Sequence, residues 1–198
     1  MKRILLFFVI ALLSTAVGIS ARAGDDSDGG RPRFLGLGGT LGAPVAWYQN
    51  PDYHVVGCGV AMKIGVDYAH PVSDKFAVGV YAAIGGGPVF SKRASGDFVD
   101  RNGVLPGIDV KVGLLMLAGD VCDRPFIIGV APATGFGMCN PLIYLPAELR
   151  LGRLLSRHLY ITGNLTTGVP LGYNDGTELS IFVEPSLTIG YNFGPKRR

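Results

Sequence analysis

Residues 180–193 read Ser-Ile-Phe-Val-Glu-Pro-Ser-Leu-Thr-Ile-Gly-Tyr-Asn-Phe. Ile181, Val183, Leu187, Ile189, Tyr191 and Phe193 share one parity, and Ser180, Glu184, Ser186, Thr188, Gly190 and Asn192 share the other. Successive side chains of a β-strand point to opposite faces, so this is a strand with one greasy face and one polar or small face. Its length matters as much as its pattern, because strands of soluble domains average about 5 to 6 residues.

The same alternation recurs upstream. Leu159, Ile161, Leu165, Val169 and Leu171 stand against Tyr160, Thr162, Asn164, Thr166 and Gly168, and Leu145, Ala147, Leu149 and Leu151 against Glu148, Arg150 and Gly152. Ile108, Val110, Val112, Leu114 and Met116 alternate with Asp109, Lys111 and Gly113. Val60, Met62, Ile64, Val66 and Tyr68 alternate with Lys63, Gly65 and Asp67, and Phe76, Val78, Val80 and Ile84 with Ala77, Gly79, Tyr81 and Gly85. Two more glycine-rich segments, residues 34–47 and 126–136, bring the number of strands to eight. Thirteen residues at about 3.3 Å each, tilted near 40°, cover about 33 Å, enough to cross a bilayer. The predicted fold is all-β: an eight-stranded antiparallel up-and-down transmembrane β-barrel over residues 34–193. Pro132, Pro146, Pro170 and Pro185 fall inside the segments and mark bulges or strand ends, since proline cannot donate to a ladder.

Composition agrees. Of 198 residues 48% are hydrophobic and only 17% charged, against about 25% charged in an ordinary soluble domain. The 30 glycines show no Gly-X-Y repeat, which excludes collagen. A net charge of +3 gives no argument for nucleic acid.

Residues 1–23 are predicted to be a secretory signal peptide. Met1, Lys2 and Arg3 precede the apolar residues 4–13, and Ala21-Arg22-Ala23 supplies a small-x-small cleavage site. The apolar run is too short to span a membrane as a helix. Cleavage removes Lys2, Arg3 and Arg22 and leaves 15 basic and 15 acidic residues. Residues 24–33 read as a flexible N-terminal tail, and residues 194–198 as a basic C-terminal tail. Cys58, Cys122 and Cys139 have no metal spacing; a bridge between Cys58 and Cys139 and small buried thiols are both open.

The links after the second, fourth and sixth segments are short, and those at residues 48–54 and 91–106 are longer. Outer-membrane barrels have short periplasmic turns and longer outer loops, so both termini are expected in the periplasm. Aromatic girdles follow, with Phe34, Tyr68, Phe76, Phe126, Tyr191 and Phe193 at one end and Trp47, Tyr48, Phe90, Phe136, Tyr144 and Tyr173 at the other. The rival architecture is a soluble lipocalin-like barrel with its apolar side inward, which leaves an outer surface with few charges.

The every-second-residue set Leu187, Ile189, Tyr191 and Phe193 resembles the terminal-strand signal of bacterial outer-membrane barrels, although Gly194-Pro195-Lys196-Arg197-Arg198 follows where the family pattern ends. The chain resembles the porin-like family of small outer-membrane β-barrels, the OmpA and OmpX type. That resemblance implies outer-membrane localisation, contact with lipid and lipopolysaccharide, and recognition by the barrel assembly machinery. It implies no cofactor.

Lys63, Asp67, Asp109, Lys111, Glu148, Arg150 and Glu184 lie on the inward parity. Charges in a narrow lumen must pair, so a salt-bridged plug is expected, with a narrow ion or small-solute channel as the alternative. The segment 91–106, with Lys92, Arg93, Phe98 and Arg101, reads as a surface loop able to meet an extracellular ligand. A lipid A-modifying enzyme would need converging Ser, His and carboxylate groups; His54 with Ser91, Ser95 or Ser180 is the only outer-side candidate, so no catalytic site is assigned. Asp97, Asp100 and Asn102 do not complete a calcium loop.

Overall fold

The computed structural model describes residues 33–49, 53–95, 101–121, 124–139, 142–171 and 179–194. Residues 1–23, expected to be a signal peptide, residues 24–32 of the expected tail, Phe98, Cys122, Tyr173 and residues 195–198 lie outside them. The described residues form strands and turns alone. In chain order the strands are β1 (Phe34–Gly42 and Val45–Gln49), β2 (Tyr53–Gly59 and Ala61–Ser73), β3 (Phe76–Ser95), β4 (Arg101–Ala118), β5 (Phe126–Ala131 and Gly135–Cys139), β6 (Leu142–Leu154), β7 (Leu159–Pro170) and β8 (Leu179–Asn192). Each pairs antiparallel with its chain neighbour, and β8 closes on β1 from Gly36 opposite Asn192 to Gln49 opposite Leu179. The result is a closed eight-stranded antiparallel barrel.

Register sets its width. Starting at Leu35 and stepping across partners leads through Tyr68, Val80, Leu114, Val130, Leu149, Leu165 and Pro185, and Pro185 O accepts from Ala43 N, eight residues farther along β1. Eight strands with a shear of eight tilt by about 36° and enclose space that side chains fill.

Prolines account for the interrupted strands. β1 breaks at Ala43-Pro44, with Ala43 opposite Pro185; Ala43 N bonds to Pro185 O, and no donor can come back. β2 breaks at Val60, whose amide bonds to Pro88 O, again with no donor in return. In β5 the break runs through Pro132 to Thr134 and faces the stretch of β6 around Pro146. There Ala133 (φ 57°) and Gly135 (φ 144°) have left-handed backbones, as a bulge requires, and Thr134 O accepts from Val112 N while the Thr134 hydroxyl donates to Val112 O. Pro170 ends β7.

Polarity is inside out. Met62, Ile64, Leu114, Leu149, Leu165, Leu187 and Ile189 all face outward and are exposed, within a continuous apolar belt around the barrel. Monomeric soluble proteins rarely show apolar patches beyond a few hundred Å². This belt is the surface of a barrel that sits in lipid, and it overturns the lipocalin-like alternative, whose apolar side would be inward. Phe76, Phe126, Tyr191 and Phe193 stand outward near one rim, and Trp47, Phe90 and Phe136 near the other. Phe34 and Tyr144 depart from the expected girdles: both have inward parity and are buried in the lumen.

Two further expectations are corrected. Residues 91–106 are mostly ladder, not loop: β3 and β4 stay paired through Lys92 opposite Asn102 to Arg93 opposite Arg101. Pro88 and Pro106 face each other within this hairpin, a non-hydrogen-bonded position where neither donor is missed between them. The sulfur expectation also changes. Cys58 is a free thiol on the exposed outer face, and β3 and β4 intervene between its strand and that of Cys139. Three strand spacings of about 4.8 Å exceed the reach of a disulfide by about twofold.

Candidate functional site: a charged layer inside the barrel

The lumen is stacked in three layers. At the end where the chain enters and leaves, Phe34, Ala69, Ala77, Leu115, Leu117, Ile127 and Leu154 pack together with Tyr81 and Tyr160. At the opposite end, Tyr144 stacks on Phe182 at 4.3 Å beside Ala46 and Val89. Between them lie Lys63, Asp67, Asp109, Lys111, Glu148, Arg150 and Glu184, each less than 8% exposed.

Alternation puts them there. Lys63 and Asp67 are four residues apart on β2, Asp109 and Lys111 two apart on β4, and Glu148 and Arg150 two apart on β6, so each pair shares the inner face. Glu184 on β8 sits opposite Thr166 on β7. Arg150 grips Asp67 with both terminal nitrogens (2.7 and 2.9 Å), the fork geometry that suits a carboxylate. Its Nε donates to Thr162 Oγ1 (3.0 Å), and its guanidinium lies over the rings of Tyr81 and Tyr160. The Tyr160 hydroxyl donates to Asp67 Oδ2. Asp67 therefore takes three charge-assisted or hydroxyl donors in a site 2% exposed.

A second group surrounds the two lysines. Lys63 Nζ bridges Asp109 Oδ2 and Glu184 Oε1 (2.6 Å to the latter, outside hydrogen-bond geometry). Lys111 Nζ contacts Glu148 Oε2 and Thr166 Oγ1 and lies 3.9 Å from Asp109. The Thr166 hydroxyl also donates to Glu148. Asn164 completes the layer, donating to Thr188 Oγ1 (2.8 Å) and Ser186 Oγ (3.2 Å).

Three tyrosines fill the remaining width because glycines stand opposite them. A Cβ at Gly190 would meet the Tyr160 ring at 2.0 Å, and one at Gly137 would meet the Tyr144 ring at 2.2 Å. Among Thr40, Lys63, Asp67, Tyr81, Lys111 and Arg150 the void left is about 10 Å³, room for about one water molecule. The Tyr160 bond to Asp67 and the inward Phe182 were not assigned from sequence. The parity of both was visible, but an aromatic ring across a narrow lumen is signalled only by the glycine on a strand that faces it.

The outer candidates are separate from this layer. Lys92 and Arg93 lie on the β3 arm and Arg101 on the facing β4 arm, near the rim opposite the termini. His54 stands opposite Ala94 on the same arm, one position from the Tyr53 and Ser95 pair. His70 and His158 lie at the other rim, where His158 stacks on Tyr191. Among the described residues no group of three or more His, Cys, Asp or Glu is placed to hold a metal.

No protein-family model matches the chain, and no curated protein matches it in sequence. The chain is similar to outer-membrane barrels of known structure. OprG from Pseudomonas aeruginosa aligns over 82% of this chain and 96% of its own, with 10% identity and a TM-score of 0.49. Ail, the attachment invasion locus protein of Yersinia pestis, aligns over 82% and 98%, with 11% identity and a TM-score of 0.47. The translocator domain of the autotransporter NalP from Neisseria meningitidis aligns over 93% and 98%, with 11% identity and a TM-score of 0.31. No residue role is carried across at these identities.

Proposed function

We propose that this protein is an integral outer-membrane barrel whose lumen is plugged by its own charged layer, and that it serves as a rigid anchor for surface-exposed strands instead of a conduit or an enzyme. The observation that carries the reading is the filled lumen. A hydrated ion needs a continuous wet path, and the charged layer leaves about 10 Å³ between two apolar layers. A carboxylate locked by a bidentate guanidinium is also a poor relay for a passing ion, because releasing it exposes an unpaired buried charge.

In this reading residues 1–23 direct export, the C-terminal strand is offered to the barrel assembly machinery, and both barrel ends, which meet where Phe193 N donates to Leu35 O, face the periplasm. The exterior belt contacts lipid and, in the outer leaflet, lipopolysaccharide. The surface role falls to the β3–β4 arm. Beyond Gly107, opposite Cys139, the segment Arg101–Pro106 of β4 is laddered to β3 alone among the described strands. Among the described strands its other edge has no partner, and in this reading that edge takes an extended segment of an extracellular ligand, Lys92, Arg93, Phe98 and Arg101 being the residues near it in sequence.

Purified protein reconstituted in planar bilayers tests the plug. The expected result is no steady conductance above the lipid background; reproducible open levels of uniform size overturn the plug and restore the channel.

A further inference from the structure

Counting charges in the central layer leaves a surplus. Arg150 and Asp67 form a closed, neutral pair. The remaining group has two ammoniums, Lys63 and Lys111, and three carboxylates, Asp109, Glu148 and Glu184, all buried. Apolar layers lie on both sides, so neither end supplies solvent to screen the excess negative charge. A buried carboxylate without a partner neutralises sooner than it remains ionised.

The three carboxylates are not equally provided for. Glu148 receives Lys111 Nζ and the Thr166 hydroxyl. Asp109 Oδ2 is held by Lys63 with Lys111 behind it, but Asp109 Oδ1 has no hydrogen-bond partner in a residue 2% exposed. Glu184 has one cation, Lys63, met outside hydrogen-bond geometry. The other groups facing it are uncharged: Thr166 from β7, and Gly42 from β1, where a Cβ would strike Glu184 Oε1 at 2.6 Å. Across the lumen Asp109, Lys111 and Glu148 complete its charged surroundings. Neither Glu184 nor Asp109 lines the void described above.

We propose that the layer binds one proton, taken from solvent during folding and held by the Glu184 carboxyl beside the Lys63 ammonium. The proton brings the layer to neutrality and locks the lumen shut over the acid-to-neutral range. Loss of the proton leaves a net charge between two apolar layers and loosens the barrel. This rests on the sealed lumen argued above.

The sign follows from linkage. An unfolded glutamate titrates near about 4.3, so above that pH the folded barrel holds a proton that the unfolded chain has released. Stability then falls as pH rises, with the unfolding equilibrium constant growing about tenfold per pH unit until the proton leaves the folded state.

Reversible urea unfolding in lipid vesicles from about pH 5 to 9, with sodium or choline as the salt cation, reads this for the wild type, Glu184→Gln and Glu148→Gln. The expected outcome is the wild-type slope, a flattened slope at equal or greater stability for Glu184→Gln, and a clear loss of stability for Glu148→Gln. A flat wild-type profile, a Glu184→Gln profile that keeps the wild-type slope, or stability that follows sodium in place of pH overturns the proposal. The infrared spectrum of the wild-type barrel in heavy water at neutral pH gives a readout that does not depend on a variant folding. A carboxylic-acid C=O band supports the bound proton, and its absence overturns it. Failure here in a barrel that remains non-conducting refutes the proton alone; steady conductance refutes the plug.

Discussion

Asp67 shows how single residues stabilise the interior. It accepts from Arg150 twice and from Tyr160 once while 2% exposed, so its charge has exchanged water for fixed donors. Removing one partner strands the other. Arg150→Ala is expected to cost about 3–5 kcal/mol in urea unfolding, whereas the double replacement Asp67→Leu with Arg150→Met costs much less than the two single changes added together. A double-mutant cycle that comes out additive would show that the pair does not couple. The inward parity of the seven charged residues could be read from sequence because period-two alternation assigns faces without knowledge of the partner strands. Phe34 and Tyr144 escaped the same logic: they were sorted by their position near strand ends, where lipid-facing aromatics concentrate. Their parity is inward, and Gly137 leaves the space that the Tyr144 ring occupies.

Each strand of the barrel carries two contracts, one with lipid and one with the lumen. Leu165 on β7 and Leu149 on β6 are register partners on the lipid face, near the level of the charged layer. Leu165→Arg is expected to cost about 2–4 kcal/mol in vesicles, the penalty for a cation near the bilayer midplane, while Leu171→Arg, just past the end of β7, costs about 0–1 kcal/mol. Equal costs at the two positions would place the bilayer elsewhere along the strands. Element boundaries were legible where Pro132, Pro146, Pro170 and Pro185 mark them, since each stands at or opposite an interruption or at a strand end, whereas the breaks beside Pro44 and Pro88 were not assigned. The β3–β4 arm was not legible as a ladder. Charges, glycines and the Pro88 and Pro106 pair break its alternation, so no period-two pattern marks one side as greasy.

At the scale of the whole molecule, eight strands and a shear of eight make the lumen narrow, and the narrow lumen decides what side chains can do there. A wider barrel would hydrate the same seven charges; here they lie between aromatic and aliphatic layers and pair with one another, one carboxylate in excess. Strand number and polarity pattern were readable from the chain, but shear depends on how each hairpin sets its register, and no short-range signal encodes the sum around the ring. The low charge content also takes a definite meaning, because the outer surface spends its residues on the belt, while seven of the charged side chains are buried in the lumen. The claim on which the rest depends is that this apolar exterior sits in the outer membrane as a closed barrel. Fractionating envelopes of cells that express the full chain, and running the membrane fraction on gels with and without heating, measures it directly. The account predicts recovery with the outer membrane and a band that migrates faster unheated than boiled; a soluble periplasmic product with a single heat-independent mobility would contradict it.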